Sequence, residues 1–252
     1  AAGPADQPGT FVAMCGRFVS SSPPDELAAY FGVDQVAETV LDPDERQPNY
    51  NVAPTQDVLG IVEDDDQRHM DAFFWGLVPS WAKEAKIGSR MINARAETLA
   101  EKNAFKSSFA KRRCIVPADG FYEWKAIEGA GKKAKKQPMF ITTRDGAPLA
   151  FAGLWSVWRG PDKDQEPLRS LTIVTTSANA TMAPIHDRMP VILPEGAWAE
   201  WLLTLGISRR RDRGRRPAAG RGSPAAPRRA TPGRARPGRW RSRGRPSLAP
   251  SV

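Results

Sequence analysis

Cys15 directly follows Met14 in the stretch MCGRF (residues 14–18). An internal cysteine offers a thiol alone, and its commoner fate is burial as a small apolar side chain. A cysteine made first by removal of the preceding methionine offers a free α-amine and a thiol on adjacent carbons. With a pKa of roughly 7.7–8.0, a useful fraction of that amine is neutral and nucleophilic at neutral pH. It condenses with an aldehyde to an imine, and the thiol then closes a five-membered thiazolidine ring. The same terminal residue also suits peptide hydrolysis, with its own amine as base. Either chemistry requires AAGPADQPGTFVA (residues 1–13) and Met14 to be absent from the working protein. Residues 1–13 are therefore expected to be a leader, through a start assigned too far upstream or, less favoured, a self-removed pro-segment.

Four other stretches carry polar residues in aromatic or apolar company. YNVAPTQ (50–56) holds Asn51. MINARAET (91–98) holds Asn93, Arg95 and Glu97. DGFYEWK (119–125) sets Glu123 among Phe121, Tyr122 and Trp124. APIHDRMPVIL (183–193) holds His186, one of two histidines in the chain. Each has an ordinary reading when taken singly. An Asn before a helix caps it, a Glu in an alternating strand faces water, and a His beside Asp and Arg joins a surface ion pair. FWGLVPSWA (74–82) adds Trp75 and Trp81, for which core packing competes with base stacking.

Together with TTSAN (175–179), these motifs run in order over about residues 14–203. The set closely resembles the SRAP family, the SOS response-associated peptidases or abasic-site processing proteins. The resemblance implies a mostly β fold with a groove for single-stranded DNA. It further implies a terminal cysteine that joins the ring-opened sugar of an abasic site as a thiazolidine. By matching motifs, Cys15 takes the nucleophile's place and Asn93, Glu123 and His186 those of its catalytic partners; Arg17, Asn51, Trp75, Trp81 and Arg95 fall on the DNA-binding side. Physical roles follow. Glu123 takes and returns protons at the α-amine. His186 helps to open the sugar or protonates the departing hydroxyl. The Asn93 amide holds the amine or a sugar oxygen, and the arginine forks suit phosphates. No metal and no cofactor is called for. Two alternatives stay open: a cysteine-type (auto)peptidase, and a noncovalent single-stranded DNA-binding module.

The elements that must position these residues read as mostly β. Predicted strands are 58–63, 71–79, 113–118, 138–143, 147–158, 169–178 and 189–193. Predicted helices are 96–111, broken near Asn103, and 194–203, with a short helix in SSPPDELAAYFGV capped by Ser22. EGAGKKAKK (128–136) reads as a hairpin tip. Many short strands with few helices give a mostly β fold with peripheral helices (α+β), a single sandwich or barrel domain over 14–206. Residues 207–252 read as an Arg/Pro/Gly/Ala-rich tail, either a disordered basic arm or an out-of-frame product; after WLL it departs from the family pattern. From Arg209 onward there are fifteen arginines and one acid, so the net charge of +9 leaves −5 for residues 1–208. A DNA site on the body must therefore be a local basic groove. Two cysteines fit a reducing compartment, and no apolar run approaches the ~20 residues of a membrane span. A cytoplasmic monomer, nucleoid-associated when bound to DNA, is expected.

Overall fold

The computed structural model describes residues 16–41, 47–127, 135–161 and 166–203. Within them lie twelve strands: β1 (Arg17–Ser20), β2 (Gln35–Val36), β3 (Asn49–Val52), β4 (Asp57–Asp64), β5 (Gln67–Trp75), β6 (Asn93–Arg95), β7 (Arg113–Ala118), β8 (Gly120–Ala126), β9 (Lys136–Ile141), β10 (Leu149–Trp158), β11 (Leu168–Ser177) and β12 (Arg188–Pro190). Four short helices accompany them: α1 (Pro24–Phe31), α2 (Glu38–Leu41), α3 (Lys106–Lys111) and α4 (Trp198–Leu202). This is the mostly β fold with peripheral helices that the strand spacing predicts.

The larger sheet closes on itself. Strands β5, β4, β7, β10 and β11 pair in that order, and a parallel contact (Ser170↔Phe74, Leu171↔Trp75) joins β11 back to β5. Closure removes the open edges that a sheet otherwise exposes, so a barrel and not a sandwich is formed. β12 and β6 both add to β11. A smaller antiparallel sheet, in the order β3-β1-β8-β9, carries the chain that follows Cys15. Alternation along β10 decides what packs where. Leu149 and Phe151 join a cluster with Phe18, Trp75, Phe121 and Ile173. On the other face, Ala150 packs in a cluster with Leu27, Phe31 and Trp198 of the helical layer, and Ala152 and Leu154 pack with Phe105. Each large buried side chain contributes roughly 1.5–3 kcal/mol by leaving water.

Local departures from the sequence reading have local causes. β5 begins at Gln67, four residues before the predicted strand. Asp65 and Asp66, at φ 47° and 64°, make a two-residue hairpin turn that Asp tolerates without glycine. It ends at Trp75 because Gly76, at φ 146°, turns the chain away. A Cβ on Gly76 would lie 2.6 Å from the Gly88 carbonyl oxygen, and one on Gly88 would lie 2.5 Å from that of Gly76. That approach seats the 77–81 segment against the 3₁₀ turn Ala85–Arg90, which leads into β6. Ser22 does not cap α1, whose N-cap is Pro23. The hydroxyls and amides of Ser21 and Ser22 all donate instead to the carboxylate of Asp119. The predicted 96–111 helix resolves into a 3₁₀ turn, Ala96–Thr98, and α3, split as the break near Asn103 suggests. Ala126 pairs with Lys136 across the predicted hairpin. Its tip at 128–134, the leader with Cys15, and the chain from 204 onward lie outside the described residues.

Candidate active site

Glu123 stands on β8 with only 1% of its surface exposed. Strand periodicity puts it on the same face as Phe121, toward the central apolar cluster and away from water. The solvent-facing reading of an alternating Glu fails here because the face of β8 that carries Phe121 and Glu123 packs inward on that cluster. The β1–β8 register runs Val19↔Gly120, Phe18↔Phe121, Arg17↔Tyr122. One further step sets Gly16, also buried, opposite Glu123.

Asn93 is positioned by parallel pairing with β11, in the register Ile173↔Asn93, Val174↔Ala94, Thr175↔Arg95. Ala94 and Val174 belong to the cluster under α3, so Asn93 and Arg95 take the opposite face with Ile173. Asn93 does not cap a helix. His186 follows Ile185 and precedes Met189, both packed on the cluster that also holds Phe18, Phe121 and Ile173. One apolar cluster therefore lies beneath Glu123, Asn93, His186 and the strand that begins at Arg17.

Trp75 ties these parts together from inside. It is fully buried, lies 5.1 Å from Phe18 ring to ring, and donates from Nε1 to the carbonyl of Ile92 at 2.9 Å. Base stacking by Trp75 is thereby excluded: its indole has no open face. It supports the site through Ile92, next to Asn93. Trp81 is 59% exposed. It borders a pocket of about 470 Å³ shared with Lys106 and Arg112, which none of Asn93, Glu123 and His186 lines. Arg17 and Asn51 meet directly, Nη1 donating to Oδ1 at 2.8 Å. Asn51 thus steadies the arginine fork, and Arg95 is exposed on β6.

Sequence reasoning did not single out Arg188. Its guanidinium grips Glu97 with two prongs, at 2.5 Å and 3.0 Å, and donates to the Thr175 carbonyl at 2.8 Å. The Arg188 hydrogen bonds hold the Glu97 carboxyl at about 2, against an ordinary 4.5. The two residues lie 91 positions apart, in INARAET and IHDR, and only their opposite charges hint at the pairing. Asp119 was likewise passed over. Burial works against its ionised form, but the Ser22 and Ser21 bonds outweigh it and lower its pKa. Cys114, the other cysteine, is fully buried, and burial pushes its thiol far above the usual range; it is no nucleophile. Among the described residues no group of three or more His, Cys, Asp or Glu could hold a metal, and no helix is long and apolar enough to cross a membrane.

The chain belongs to the SOS response associated peptidase (SRAP) family, whose model matches residues 14–215. It is 46% identical over 189 residues to the abasic site processing protein YoqW of Bacillus subtilis (strain 168), covering 75% of this chain and 80% of that one. It is 38% identical over 189 residues to the abasic site processing protein YedK of Escherichia coli (strain K12), with coverages of 75% and 79%. A crystal structure of a protein from Bacteroides thetaiotaomicron aligns with a TM-score of 0.67 at 29% identity, over 77% of this chain and 84% of that one.

Proposed function

We propose that the 14–206 domain captures abasic sites in single-stranded DNA covalently, through Cys15 acting as the first residue. The observation that carries the reading is the β1–β8 register, Arg17↔Tyr122 and Phe18↔Phe121, whose continuation by one residue leads from Gly16 to the buried Glu123. The reading requires Cys15, bonded to Gly16, to present its amine to that buried carboxylate. Glu123 serves as the base for the α-amine there. Asn93 orients the opened sugar and His186 assists its opening. Arg17, set by Asn51, and Arg95 hold phosphates, and Trp81 stacks on a base. The step balances: one aldehyde, one amine and one thiol give one thiazolidine and one water. Burial of the alternative thiol, Cys114, supports Cys15 as the sulfur that reacts. The family description and the relatives' names, abasic site processing proteins, agree with this reading.

The test is a Cys15→Ser variant, prepared to begin at residue 15, incubated with an abasic oligonucleotide and then denatured. The expected result is loss of the denaturation-resistant adduct, with binding to intact single strands kept. An undiminished adduct would reassign the linkage. Loss of peptide cleavage alone would favour the peptidase reading.

A further inference from the structure

The ring of His186 is engaged at one nitrogen. Nδ1 lies 3.0 Å from the main-chain nitrogen of Arg188 and 2.9 Å from Oδ1 of Asp187. These neighbours make opposite demands. The amide N–H only donates, so it needs a lone pair on Nδ1. The carboxylate only accepts, so it needs a proton there. The Asp187 side chain is 87% exposed, and water serves it equally well. The Arg188 amide is part-buried, where an N–H without its acceptor is costly.

The position of that amide is fixed from three sides. Glu97 and the Thr175 carbonyl clamp the Arg188 side chain. β12 pairs Arg188 with Ser177 of β11. The Asp187 carbonyl accepts from the Ala178 amide at 2.9 Å, and the His186 amide donates to the Met182 carbonyl at 3.0 Å. Turning the ring to exchange Nδ1 for a carbon would leave this fixed amide without its acceptor.

We propose that the Arg188 main-chain amide sets the tautomer of His186, placing the proton of the neutral ring on Nε2, and that Glu97 is the positioning residue holding that amide in place. His186 then meets the sugar as a hydrogen-bond donor through Nε2–H. Acceptance of protons falls to other groups, Glu123 first among them. The choice of sugar as partner rests on the capture reading above; the state of the ring does not.

The chain has two histidines, so ring-nitrogen NMR of the full chain carrying ¹⁵N-histidine shows two spin systems, and a His69→Gln variant identifies that of His186. Where the ring is neutral, the expected spectrum has Nδ1 unprotonated and Nε2 protonated. A protonated Nδ1, or a fast-exchanging mixture as in the free amino acid, overturns the assignment. Glu97→Gln supplies the second arm. It keeps one oxygen for Arg188 but loses the charged two-pronged grip. In the folded variant the tautomer should become mixed, and in the same variant prepared to begin at Cys15 capture should slow roughly 3–10-fold. Folded Glu97→Gln protein with an unchanged tautomer and unchanged rate overturns the positioning role. A protein beginning at Cys15 that shows the Nε2–H form yet captures no abasic DNA supports the ring assignment and sinks the capture reading alone.

Discussion

Trp75 and Trp81 lie six residues apart in one motif and do different work. The first is sealed in the core and donates to the Ile92 carbonyl, next to Asn93. The second offers an open ring. Trp81→Ala should therefore weaken binding to intact single strands by about 1–3 kcal/mol, the value of one stacked base, and leave thermal stability near wild type. Trp75→Phe should do the reverse. It removes a buried hydrogen bond and part of a packed ring, at about 1–3 kcal/mol of folding stability. Fluorescence anisotropy and thermal melts separate the two. Motif membership marks both residues, but exposure alone distinguishes them, and exposure depends on partners such as Phe18 that are remote in sequence. Glu123 teaches the same lesson in the other direction. Alternation puts it on a strand, yet its burial comes from the apolar cluster on which that face of the sheet packs.

At the scale of elements, the pairing of β6, β11 and β12 aligns Asn93, Arg95 and Arg188 on one face. Long apolar strands such as β4, β7, β10 and β11 are legible because alternation and β-branched residues suffice to mark them. β1, β3, β6 and β12 are three or four residues long and form only because a neighbour offers a ladder, so sequence pattern alone does not reveal their extent. The Glu97–Arg188 clamp across this face has a pH signature. Glu97 titrates at about 2 when folded against an ordinary 4.5. Its contribution is fully present above about 4.5 and is lost as pH falls through about 2. Because the Glu97 side chain is half exposed, that contribution is about 1 kcal/mol. Melting temperatures of Glu97→Gln and wild type should differ at pH 6 and converge toward pH 2. A difference that holds constant across that window would mean the clamp carries no charge-dependent stability.

For the whole molecule, a body with a net charge of −5 has to hold a polyanion by local cations. Arg95→Gln in a chain ending at residue 206 should lower the slope of log affinity against log salt by about 0.7, one phosphate's share on a single strand. An unchanged slope would remove Arg95 from the DNA path. The barrel itself was half legible. A mostly β domain follows from strand spacing, but its closure turns on the parallel contact between Phe74 and Ser170, which no local pattern announces.

Everything in the capture chemistry requires the amine of Cys15 to be free. The most direct measurement is intact mass after incubating an abasic oligonucleotide with two proteins, one beginning at Cys15 and one retaining residues 1–14. The shorter protein should give an adduct equal to protein plus DNA less one water, and the longer one none. Equal adduct from both proteins would contradict thiazolidine formation at Cys15.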